Sequence, residues 1–353
     1  MSDSSSSSSF GRAVLTAGAT LAGTYASCAA ARWAYRRTLP SPLSLPPALD
    51  LEPHPVETPD GRAQCYVRPG TGPPVVLLHS FNAVASSREM QPIAEHLAAT
   101  TDRPVYALDW LGFGRSDRGP RTYAPALYER QLYHFLDEVP GAPADVVALS
   151  LGGEYAAQVA LQAAPLVRRL VLVSPTGFAP TQGPSTPGRL GLALADHTGT
   201  FELLYHRLTR RASLRDYYAR QIFLSPDAIP DALLDYAEQT AKVRGAYRAP
   251  LRFVDGTLSV PNVSDDVYAR LYRPTLLLTP PTPDSTVQSF ERLPAVLSQN
   301  ARDLSHQALP GGLLPHWEAP APFFDALASF LALHCAPRTK APPSLSLRGR
   351  KFR

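Results

Sequence analysis

The chain has 353 residues, 44% of them apolar and 18% charged, with a formal net charge of +4. This composition excludes a disordered or collagen-like chain, and three widely spaced cysteines (Cys28, Cys65, Cys335) exclude a disulfide framework or a zinc cluster. The charge is uneven: residues 1–37 carry +3, residues 336–353 carry +6, and the segment between carries −5. An acidic body with two basic ends argues against nucleic-acid binding.

In chain order, Ser4 to Ser9 form an unbroken serine run, read as disordered. Ala13 to Ala31 are uncharged, bounded by Arg12 and by Arg32, Arg36 and Arg37, and just long enough to span a bilayer. Gly18, Ala22, Ala26 and Ala30 recur every four residues, a face on which helices can pack. The reading is a leader (1–37) that associates with a membrane through residues 13–31 and keeps the following domain on the cytoplasmic side. A secretory signal or an organellar transit peptide stays open as an alternative. Residues 38–69 read as a proline-rich tether and lead-in, with 38–56 extended.

From Pro74 onward, short apolar runs alternate with helical stretches. Strands are expected at Val75–Leu78, Pro104–Leu108, Asp145–Leu149 and Arg169–Val173, with helices at about 87–99, 125–138 and 154–163. This alternation predicts an α/β fold, a mostly parallel sheet flanked by helices, with its first part in 70–178. Residues 179–270 carry only helical patches and read as an all-helical cap inserted into that domain. Strands resume at 274–278 and near 301–309, and a closing helix at 321–334 completes the second part, 271–335. Residues 336–353 form a basic tail, read as disordered.

Ala148-Leu149-Ser150-Leu151-Gly152 falls between a predicted strand and an Ala-rich helix. Small-x-Ser-x-Gly in that setting is a nucleophile elbow: a tight turn lifts the hydroxyl above the sheet, and small flanking residues let strand and helix approach. The Leu151 amide then lies at a helix N-terminus, suited to a developing oxyanion.

With His79-Ser80, Asp109 through Ser116, this elbow, and Pro315-His316-Trp317-Glu318-Ala319-Pro320, the chain resembles the α/β-hydrolases over about 70–335. The resemblance implies Ser150 as nucleophile, the Phe81 amide as second oxyanion donor beside Leu151, and a structural role for the Asp109 loop. His79-Ser80 departs from the family's His-Gly. The family's acid position points to Asp284, one residue later than usual, and the base is expected at His316. The family's ending, Gly-His-x-Pro-His-x-Glu, however, puts Leu313 where the catalytic histidine stands and aligns His316 with the second histidine.

The expected function is therefore serine hydrolysis of an ester or similar acyl bond of an apolar small molecule, by Ser150, His316 and Asp284. Tyr205, Leu208, Tyr217, Tyr218, Phe223 and Leu224 of the cap favour an apolar acyl group. The rival is a catalytically impaired α/β-hydrolase that binds a ligand or a protein partner. No phosphate loop, dinucleotide fingerprint or metal cluster appears in the sequence, so no cofactor is implied.

Overall fold

A computed structural model describes Ala30 and residues 33–179, 186–281 and 288–332. The chain divides into two compact units, residues 1–41 and 42–353. In the first, the Arg37 guanidinium lies 3.9 Å over the Trp33 ring. The candidate membrane segment 13–31 falls outside the described residues, apart from Ala30, as does the basic tail. Among the described residues no helix is long and apolar enough to cross a membrane.

In the second unit, eight strands form one sheet in the order β1-β2-β4-β3-β5-β6-β7-β8. They are β1 (Glu52–Thr58), β2 (Gly61–Arg68), β3 (Val75–Leu78), β4 (Val105–Asp109), β5 (Ala144–Leu149), β6 (Val167–Val173), β7 (Thr275–Thr279) and β8 (Leu304–Ala308). The six strands expected from sequence, β3 to β8, are parallel to one another. β3 and β5 are buried along their whole length, as strands covered on both faces must be.

β1 and β2 correct the reading of 38–56 as a tether. They form an antiparallel hairpin, with Val56 opposite Ala63, and β2 in turn pairs antiparallel with β4. Pro53 and Pro55 disguise β1 because proline lacks an amide to donate. At the edge of the sheet one side of the strand needs no donor, so both prolines are accommodated.

Helices cover the sheet: α1 (Gln91–Thr100), α2 (Pro125–Glu138) and α3 (Gly152–Gln162). The described residues between β6 and β7 include no strand. They hold α4 (Thr186–Thr198), α5 (Thr200–Leu208), α6 (Arg211–Gln221), α7 (Asp231–Ala241), α8 (Arg248–Val254) and α9 (Val263–Asp266). After β7 follow α10 (Leu293–Gln299), α11 (Pro315–Glu318) and α12 (Pro320–Leu331). β3, β5, β6 and β7 all deliver their C-terminal ends to the same side of the sheet, where a ligand site is expected in an open α/β fold.

Candidate functional site

Ser150 is the first residue after β5, and its φ of 50° puts a non-glycine residue in the left-handed region. Such a conformation costs about 1–3 kcal/mol and survives only where its surroundings hold it. Here the Ser150 amide donates to Val173 O on β6 (2.9 Å), and its carbonyl accepts from Gly153 N (2.9 Å). Gly152 permits the turn, because a Cβ there would lie 2.8 Å from His79 O. The elbow expected from Ala148 to Gly152 is formed in full.

Beside it, His79 and Asp109 fix the loop that follows β3. His79 is fully buried; its Nδ1 donates to Ser80 O (2.7 Å) and its Nε2 accepts from Trp110 N (3.1 Å). Burial pushes its pKa down to about 4, so it is a neutral strut. The Asp109 carboxylate accepts from the amides of Ser87 and Arg115, which agrees with the structural role expected for its loop. The Phe81 ring packs edge-on against Phe113, Tyr128 and Tyr155, leaving the backbone of Ser80 to Asn82 along the pocket. No hydrogen bond within the described residues takes the amide of Phe81 or of Leu151.

A cavity of about 230 Å³ opens over Ser150, lined by Phe81, Leu149, Ile222, Phe253, Leu313 and Leu314 among apolar residues. Its polar lining comprises Ser80, Asn82, Glu89, Ser150, Thr176, Tyr217, Tyr218 and Gln288. Tyr217 and Tyr218 thus reach the pocket as expected from sequence, whereas Leu208 and Leu224 are exposed on the surface. The Tyr205 hydroxyl donates to Ala83 O (2.9 Å) and holds the helical insertion to the core.

The Ser150 hydroxyl accepts from Gln288 Nε2 at 3.0 Å. No histidine lines the cavity among the described residues. Leu313 does, at the position where the family ending puts the catalytic histidine. His316 is buried beneath the wall, with Nε2 donating to Glu89 O (2.8 Å) and Nδ1 without a partner among the described residues. Trp317 Nε1 donates to the same carbonyl (2.9 Å). Burial pushes the His316 pKa down to about 4, so the ring is neutral at ordinary pH. Asp284 lies outside the described residues.

Glu318 fixes the loop carrying these residues. Its Oε1 accepts from the amides of Leu224 and Ser225 (2.9 Å each), and its Oε2 accepts from Gly312 N. Leu313 N donates to Ile222 O (2.8 Å), a carbonyl that a Cβ on Gly312 would meet at 2.1 Å. Gln288 and Glu89 were not visible from the sequence, because no local spacing links them to the pocket, whereas Glu318 belongs to the motif 315–320 and only its tie to Leu224 and Ser225 was hidden.

A nucleophile elbow at the C-terminal edge of a parallel sheet, beneath an apolar cavity, defines an α/β-hydrolase type of protein. A model of the alpha/beta hydrolase fold matches residues 73–279, and the chain belongs to that family. It is 30% identical over 136 residues to an uncharacterized Mycobacterium tuberculosis protein, covering 38% of this chain and 39% of the relative. It is 41% identical over 110 residues to the rat 1-acylglycerol-3-phosphate O-acyltransferase ABHD5, covering 30% of each. The chain therefore spans well under half the length of these two relatives. A longer match, 26% identical over 285 residues, covers 76% of this chain and 87% of the 2-hydroxy-6-oxo-6-(2'-aminophenyl)hexa-2,4-dienoic acid hydrolase of Metapseudomonas resinovorans. A probable hydrolytic enzyme from Pseudomonas aeruginosa shares the fold, with a TM-score of 0.62 at 18% identity over 83% of this chain and 98% of that one.

Proposed function

We propose that this protein binds an apolar carbonyl compound over Ser150 and lacks the serine–histidine relay that would turn such a compound over rapidly. One observation carries this reading: Leu313 occupies the pocket wall, and His316 spends its Nε2 on the Glu89 carbonyl. A leucine cannot take the Ser150 proton, and general-base assistance is worth roughly 10²–10⁴-fold in rate. The amides of Phe81 and Leu151 remain available to hold a carbonyl oxygen, and the apolar wall takes the rest of the ligand. The test is a fluorophosphonate probe and p-nitrophenyl butyrate, applied to the wild type and to Ser150→Ala, with N-phenylbutanamide as a non-reacting ligand in a thermal shift. The expected result is a stabilising shift, with labelling and turnover no greater in the wild type than in Ser150→Ala. Ser150-dependent turnover would overturn it.

That outcome would favour a second reading, serine hydrolysis of an apolar ester by Ser150 as nucleophile, His316 as base and Asp284 as acid. It is supported by the left-handed backbone of Ser150, a conformation that a binding site does not require, and by hydrolases among the relatives. In this reading the His316 ring leaves the Glu89 carbonyl to reach the hydroxyl, so His316→Ala should abolish turnover. For placement, we propose the membrane association read from residues 13–31. Fractionation of the full chain, with a truncation lacking 1–37 as control, tests it; recovery of the full chain entirely in the soluble fraction would contradict it.

A further inference from the structure

Glu89 is 2% exposed, yet it lines the cavity. Its Oε2 accepts from Ser80 N (2.9 Å), and its Oε1 accepts from Ser80 Oγ (3.0 Å) and Asn82 Nδ2 (2.8 Å). All three contacts bring a donor to the two oxygens, so both act as acceptors. No lysine, arginine or histidine forms an ion pair with it among the described residues, so the carboxyl group is buried with hydrogen bonds but without a counter-ion. Burial pushes its pKa up, and an arriving cation would draw it back to the ionised form. Of the roughly four lone-pair sites that a carboxylate offers, three are used.

Two aromatic rings line the cavity with this carboxylate. Tyr217 and Tyr218, consecutive on α6, lie 5.7 Å apart between ring centroids at a near-perpendicular 83°. The negative charge of Glu89 adds to burial in raising both phenols, so neither ring ionises near neutral pH. Neutral aromatic faces beside an uncompensated carboxylate attract an organic cation, by the ring quadrupole and by direct charge pairing. Phe253 extends the aromatic lining.

We infer that the Ser150 pocket is built for a ligand carrying a protonated amine, with Glu89 as its counter-ion and Tyr217 and Tyr218 as its aromatic walls. This rests on the reading of the pocket as a ligand site, and it assigns the second pole of that ligand: the carbonyl at Ser150, the ammonium at Glu89. The role of Glu89 in holding Ser80 and Asn82 is compatible with it. That role needs only acceptors, which a neutral side chain supplies without burying a charge.

The test is calorimetric titration of the full chain at pH 7.5 and low salt with three matched probes: benzylamine, benzyl alcohol and benzoate. The wild type is expected to bind benzylamine at least about tenfold tighter than benzyl alcohol, and benzoate more weakly than either. The preference for benzylamine should fall to within about twofold in Glu89→Gln and shrink in Tyr217→Leu. Should Glu89→Gln not fold, the selectivity of the wild type and the Tyr217→Leu variant still decide. Equal binding of amine and alcohol overturns the ammonium assignment and leaves the pocket reading in place, whereas no binding of any probe overturns both. A preference for benzylamine that survives Glu89→Gln and Tyr217→Leu also overturns the assignment.

Discussion

The two walls of the pocket are built by different means. The nucleophile wall, from β5 through α3, is short-range and strained: Ser150 adopts φ 50°, Gly152 lets His79 O approach, and neighbouring strands hold the turn. The facing wall, 309–318, is long-range and stapled: Glu318 ties it to Leu224 and Ser225, while His316 and Trp317 tie it to Glu89. The first holds Ser150 in a strained turn, and the second spends its polar atoms on anchoring. A complete elbow therefore faces a wall whose Glu318, His316 and Trp317 side chains are committed to anchoring.

On the proposed reading, the largest expected effect comes from adding a base to the stapled wall. Leu313→His places an imidazole in the cavity lining, and hydrolysis of p-nitrophenyl butyrate should rise about 100-fold over the wild type, the lower part of the range for a general base. The gain should vanish when Ser150→Ala is added. No gain in a folded Leu313→His protein would mean that the two walls are not matched for chemistry.

The walls should also titrate in opposite directions. The folded pKa of His316, about 4, lies below its ordinary 6.5. The unfolded chain takes up that proton first, so the stability His316 contributes is complete above pH 6.5 and is lost as pH falls toward 4. Glu154, at the start of α3, accepts from Thr176 Oγ1 and from Val260 N (2.7 Å), and burial pushes it up to about 7 from 4.5. Its contribution is complete below pH 4.5 and is lost as pH rises through 7. Urea midpoints measured against pH for the wild type, His316→Gln and Glu154→Gln should diverge with opposite slopes, each approaching about 1.4 kcal/mol per pH unit. Parallel slopes would refute the contrast.

Smaller effects test the fastenings one at a time. Glu318→Ala leaves three amides without their acceptor and should cost about 2 kcal/mol, read from the shift in urea midpoint. Gly152→Ala forces a Cβ against His79 O and should cost about 1–3 kcal/mol. Of the two, only Gly152→Ala should alter the near-ultraviolet signal of the Phe81–Trp110–Tyr155 cluster, which packs behind the elbow.

Much of the fold was legible because its signals are local. Apolar runs of four or five residues marked β3 to β7, and the change to helical patches marked the insertion. The hairpin β1–β2 was not legible, since Pro53 and Pro55 read as extended chain until a sheet edge is there to receive them. Ser150 could be read from five consecutive residues. Leu313 could be placed from the family ending, although its reach into the cavity could not. Glu89 and Gln288 gave no signal, because each meets its part of the pocket only after the chain has folded back on itself.

The sequence by itself determined the α/β architecture and the elbow, since both arise from hydrophobic periodicity and from turn chemistry within a few neighbouring residues. The tertiary structure alone decided the partners: Gln288 for Ser150, the Glu89 carbonyl for His316, and a buried carboxylate on the pocket wall. His316 and Glu89 are 227 positions apart in the chain. Which acceptor a histidine finds at that separation depends on how whole elements pack, and no local pattern encodes it.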